Sequence, residues 1–178
     1  MQAGLTPAQF DALIHAYCDW AEDEERRVLR EGVAPSPLQT ADARRIGVKH
    51  PDRVRLLETP AMPSPEHPLF QAVVGRSRLI PPETEALTLG YGIYIHTAHR
   101  GERSIVAHEL KHVAQQEALG GLRPFYRKYL AECFIHGYPN GPMEREAMGV
   151  EEAFSLLPAP DLVSGKGKIH PRYGLFPG

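Results

Sequence analysis

Ile105-Val106-Ala107-His108-Glu109-Leu110-Lys111-His112-Val113 is the stretch from which the rest of this 178-residue chain is read. On a helix, two histidines four residues apart project from one face about 6 Å apart and can share one tetrahedral ion. Glu109 follows the first histidine directly, so it cannot point along the same line. It reaches instead toward a water in the open coordination position, as a general base would. Zinc, Zn2+, lowers the pKa of such a water toward about 7 and polarises a carbonyl, so peptide hydrolysis there needs no covalent nucleophile. Apolar Ile105, Val106 and Ala107 before the motif and Val113 after it mark the helix as a core element rather than a solvated one.

Working outward, the motif helix is expected from about Glu102 to Leu119, with Gly120-Gly121 as its stop. Before it, residues 87–96 are rich in β-branched and aromatic residues with partial alternation, which predicts a strand or hairpin arm. The piece from Gly92 to Thr97 reads either as a core strand or as an exposed edge beside the metal. We favour the edge, which could align an extended peptide by main-chain pairing. After the motif, Leu122–Phe134 reads as a helix and residues 137–142 as a turn. Pro142 suits the first position of a last helix, whose Met143, Ala147, Val150, Phe154 and Leu157 form one stripe.

A catalytic zinc usually has three protein ligands. No further histidine follows at close spacing, so the last helix is the expected source, with Glu144 and Glu146 as candidates on opposite flanks of the stripe. Periodicity does not decide between them. For an oxyanion donor, His136 and Tyr138 are the candidates taken from the segment between the two halves of the site, which also holds Tyr126 and Tyr129. His50, His67, His96, His99 and His170 read as surface or loop residues.

Upstream, Thr6-Pro7-Ala8-Gln9 carries a capping hydroxyl, a proline for the first helical position and a reciprocating amide. That helix runs through Phe10, Leu13, Ile14, Tyr17 and Trp20 and the charged run 22–30, until Gly32 and Pro35. Residues 35–82 are irregular, with a short helix near Thr40–Ile46, an extended piece over 53–57 and a proline-punctuated loop over 59–68. The tail from Pro158 is expected to wrap the surface.

Length and 42% hydrophobic content suit one domain with a real core. We divide it into an N-terminal helical and loop region (1–86), a zinc-binding core (87–157) and a tail (158–178). Seventeen prolines and sixteen glycines predict many loops. A net charge of −2 gives no field to attract nucleic acid. Cys18 and Cys133 lie in helix-like stretches and read as a reduced core pair. With no signal-like N-terminus and no apolar run of membrane-spanning length, the cytoplasm is the expected compartment.

His108-Glu109-Leu110-Lys111-His112-Val113-Ala114-Gln115-Gln116, with Glu144-Arg145-Glu146-Ala147 downstream, resembles the gluzincin-like zinc metallopeptidases, especially small bacterial domains reading HELxHVxQQ and then ExEA. The resemblance covers roughly residues 87–154. Related membrane-associated gluzincins place a small residue three positions after the ligand glutamate and an aspartate at the fourth. The resemblance therefore implies Glu144 as the ligand and Ala147 as the small residue, with Met148 standing where the aspartate would be. The expectation is a mainly helical α+β, zincin-like domain with a small sheet or hairpin before the motif helix. It would hold zinc through His108, His112 and Glu144 and cleave a peptide or protein substrate with Glu109 as base. The alternative is a catalytically weak, zinc-stabilised interaction module in a secretion or toxin system.

Overall fold

The first helix begins where its sequence demands. Gln9 N–H donates to the Thr6 hydroxyl at 3.2 Å and Thr6 N–H donates to the Gln9 side chain at 2.9 Å, so two otherwise orphaned donors are satisfied. The structure is a computed structural model that describes residues 6–66, Phe70 and 84–157. Helix α1 spans Pro7–Glu31. Helix α2, Pro37–Ile46, opens with the same device at Ser36 and Gln39, three residues earlier than apolar spacing suggested. The missed signal was Ser36-Pro37-Leu38-Gln39, a second copy of the pattern at Thr6. Residues 67 and 68, His170 and the tail from Pro158 lie outside the described residues.

Strands β1 (Arg55–Thr59), β2 (Ala86–Leu89) and β3 (Gly92–His96) form a mixed sheet in the order β1-β3-β2. β1 runs parallel to β3 and β2 antiparallel to it. The expected hairpin over 87–96 is therefore two arms joined at Gly90-Tyr91. Gly90 takes φ +66°, which favours glycine, and a Cβ there, 2.0 Å from the Glu25 carboxylate, would push that side chain off the Tyr91 N–H it accepts from. β3 is the central strand, which corrects the expectation that Gly92–Thr97 forms an exposed edge. Its main-chain groups are engaged by strands on both sides; the edges are β1 and β2, and β2 is the one against the motif helix.

Alternation along the strands assigns the two faces of the sheet. Tyr94 and Leu89 point toward α1, where they join Leu13, Tyr17, Cys18 and Val28. Ile93 and Ile95 point the other way, toward α2 and helix α3 (Arg103–Leu119), and pack with Ile105, Val106, Leu110 and Val113. Each such buried aliphatic side chain contributes about 1.5–3 kcal/mol, which is what fixes the motif helix against the sheet. Gly120, at φ +90°, ends α3. Helix α4 spans Leu122–His136, two residues longer than expected. Helix α5, Pro142–Ser155, carries Pro142 at its first turn and buries Met143, Ala147 and Phe154 of the predicted stripe, packing principally on α3. The architecture is a mostly helical α+β fold around a small mixed sheet. Cys18 and Cys133 are buried and form no disulfide.

Candidate metal centre

His108 and His112 occupy the face of α3 that meets α5, one turn apart, and their Nε2 atoms come within 3.2 Å of each other. Glu144, in the first turn of α5, straddles the pair. Its Oε1 lies 3.4 Å from His108 Nε2 and its Oε2 lies 3.4 Å from His112 Nε2. A tetrahedral zinc with bonds of about 2.0–2.1 Å separates neighbouring donors by about 3.3 Å, so the tripod has the edge length such an ion needs. Among the described residues these three form the group of His, Cys, Asp and Glu side chains that could hold a metal.

The far nitrogen of each ring settles which atom faces the centre. His108 Nδ1 lies 2.9 Å from Glu151 Oε2, a carboxylate that can only accept. His112 Nδ1 lies 2.9 Å from Gln115 Oε1. The amide orientation is fixed because Gln115 Nε2 donates to Met143 O at 2.9 Å and to Glu146 Oε2 at 3.1 Å. Both rings thus hold an Nδ1 proton outward and turn Nε2 inward, the atom that offers a lone pair to a metal when it carries no proton. Two Nε2 atoms and a carboxylate converging at these distances need positive charge between them, a metal ion or, without one, a proton. The donor set, two imidazole nitrogens and one carboxylate, suits zinc.

The electrostatics favour positive charge at this point. Burial alone would lower the His108 pKa, yet the Glu144, Glu109 and Glu151 carboxylates outweigh it and raise the pKa to about 9. Burial would raise Glu144, but its bonds to His108 and His112 win and hold the carboxyl well below its ordinary range. Tyr129 O–H donates to Glu144 Oε2 at 2.7 Å. Burial, with Glu144 beside it, keeps that phenol protonated.

Glu109 is buried on the sheet side of the same helix. Thr88 Oγ1 of β2 lies 2.5 Å from its Oε2 and 3.1 Å from its main-chain oxygen. A pocket of about 60 Å³ reaches from Thr88, Glu109 and the tripod to the rings of Tyr126 and Tyr129. A more open groove of about 330 Å³ continues outward past Ala86, Ile105, Tyr138 and Met148.

Of the sequence candidates, His108, His112, Glu144, Glu109 and Tyr138 come together in this cleft. His136 is exposed at the end of α4 and lines neither space. Glu146 is corrected as alternative ligand: it turns outward, 3.2 Å from Lys111 Nζ, because α5 presents Glu144 to the histidines and Glu146 to the flank. Met148 is exposed, and the histidine partner comes one turn later from Glu151. Glu151 lies two turns after Glu144 on the same face of α5, a spacing that could have found it. Gln115, three residues after His112, had the same kind of signal. Thr88 and Tyr129, from other elements, had none.

No helix among the described residues is long and apolar enough to cross a membrane. Residues 81–120 match the family model described as the eCIS core domain, a span that contains the hairpin, Thr88 and the His108–His112 motif and stops before Glu144. No curated protein matches the chain, and no solved structure does.

Proposed function

We propose that this chain holds one zinc ion between His108, His112 and Glu144 as a component of an extracellular contractile injection system, and that the site hydrolyses peptide bonds. The family match over 81–120 supports the setting in a secretion or toxin system. The single observation that carries the metal is the 3.2–3.4 Å tripod with both Nδ1 protons tied outward. Its donors have the types and spacing that the resemblance to zinc metallopeptidases implies.

Bound zinc would polarise a scissile carbonyl and acidify a water at the cleft. The protein's own groups then divide the work. Glu109 lies on the same helix with a carboxylate oxygen to accept the water's proton and return it to the leaving amine. Tyr138, which lines the groove, would be the donor that meets the developing oxyanion. Extended peptide would lie along β2. His96 N–H donates to Glu85 O, so Glu85 and Leu87 face β3 while the main chain of Ala86 faces outward toward the groove.

The second reading, a zinc-stabilised interaction module without turnover, is favoured by the family match, which names no reaction. Glu109→Gln separates the two, because it keeps the tripod but removes the base. Zinc content stays at that of the wild type in both readings. Cleavage of fluorescein-labelled casein falls by about 10²–10⁴-fold if Glu109 is the base. Equal rates for wild type and Glu109→Gln would leave the module.

A further inference from the structure

Glu109 is the one acidic group of the centre that neither ligates nor pairs with a histidine, and yet its carboxylate is not free to turn. The Thr88 hydroxyl has one proton and two acceptors within reach, Glu109 Oε2 at 2.5 Å and Glu109 O at 3.1 Å. The shorter, charge-assisted contact takes it. Thr88 is itself held from three sides. β2 pairs it with Ile93 of β3, its side chain is buried against α3, and its carbonyl accepts from the Tyr126 hydroxyl of α4. Tyr126 in turn packs edge-on against the ring of Tyr17 of α1, with centroids 4.7 Å apart, and both are buried. A rigid line therefore runs from α1 through α4 and the sheet edge to one oxygen of Glu109. The other oxygen, Oε1, has no protein partner among the described residues and belongs to a side chain that lines the pocket.

We propose that Thr88 is the positioning residue of this centre: its hydroxyl pins Oε2 of Glu109 and leaves Oε1 as the sole acceptor presented to the cleft. The assignment rests on the hydrolytic reading above. A glutamate has three side-chain torsions, and a surface-facing rotamer would leave the base out of reach of a water held at the tripod. Valine at this position keeps the shape and the strand preference of threonine and deletes only the donor, whereas serine keeps the donor and deletes a methyl.

The test uses the full chain, with zinc content, turnover of fluorescein-labelled casein and denaturant midpoints of the zinc-free protein. Thr88→Val is expected to retain wild-type zinc content and to lose kcat by about tenfold or more, with KM little changed. Thr88→Ser is expected to recover most of that loss. In the zinc-free protein, Thr88→Val and Glu109→Ala are expected to be non-additive in midpoint, a coupling that independent packing defects would not produce. Wild-type kcat in Thr88→Val, or additive midpoints, overturns the assignment while the hydrolytic reading stands. Failure of serine to recover what valine loses overturns it in favour of a packing role. No zinc-dependent turnover by wild-type protein overturns the hydrolytic reading and this assignment together.

Discussion

Glu151→Ala removes a carboxylate that touches no metal and should nonetheless weaken zinc binding. Its Oε2 lies 2.9 Å from His108 Nδ1 and fixes both the tautomer and the ring plane that point Nε2 inward. Loss of such an outer partner costs about 10–100-fold in metal affinity. The Glu151 side chain is 36% exposed, so water replaces part of what is lost, and the lower end applies: about tenfold, or about 1.4 kcal/mol. Glu151→Gln keeps an acceptor but no charge and should fall between. Competition against a fluorescent zinc chelator measures the affinities near neutral pH. Glu152→Ala is the control, since Glu152 is exposed on the same helix and its side chain makes no bond to the histidines. If Glu151→Ala and Glu152→Ala bind zinc equally tightly, the outward tie on His108 does not support the ion, and the inference from ring tautomers to a zinc site loses one of its two legs.

Gly90→Ala should destabilise the chain by about 2 kcal/mol or more, because it adds a left-handed backbone penalty to a Cβ 2.0 Å from the Glu25 carboxylate; urea unfolding reads the loss, and a variant as stable as wild type would refute the stated geometry. In zinc-free protein, the His108 pKa is raised from 6.5 to about 9 by the surrounding carboxylates, even against its burial. A raised folded pKa means that the stabilisation is fully present below 6.5 and is lost as the pH rises through about 9. The expected loss is on the order of 3 kcal/mol across that window, seen as a falling denaturant midpoint that His108→Ala abolishes.

Local signals carried most of the fold. Thr6 with Gln9, Gly120-Gly121 and Pro142 mark helix ends through groups within four residues of one another, so the chain announces them without tertiary help. Ser36 with Gln39 was equally local and was overlooked in an irregular, proline-rich region. The strand order was not legible, because it depends on β1, drawn from residues 55–59, inserting beside β3 across a long separation in sequence. That pairing makes β3 central and leaves β1 and β2 as the edges. At the site, His108, Glu109 and His112 were readable from helical spacing. The choice of Glu144 over Glu146 turned on how α5 rotates against α3, which two residues two positions apart cannot reveal from periodicity alone. Thr88 was invisible for a related reason: its relation to Glu109 exists only once the sheet face and α3 are packed together.

The tripod also has a topological meaning. His108 and His112 stand on α3 and Glu144 on α5, with all of α4 in the intervening chain. A bound ion would act as a clasp across a loop of about 36 residues, and a permanent cross-link of that span would remove chain entropy from the unfolded state worth about 4 kcal/mol. Because α5 rests principally on α3, the helix that supplies the third donor is also the one the clasp fastens. Filling the site and securing the last described helix are then one event, so α5 should exchange its amide hydrogens as a unit whose rate is set by zinc occupancy.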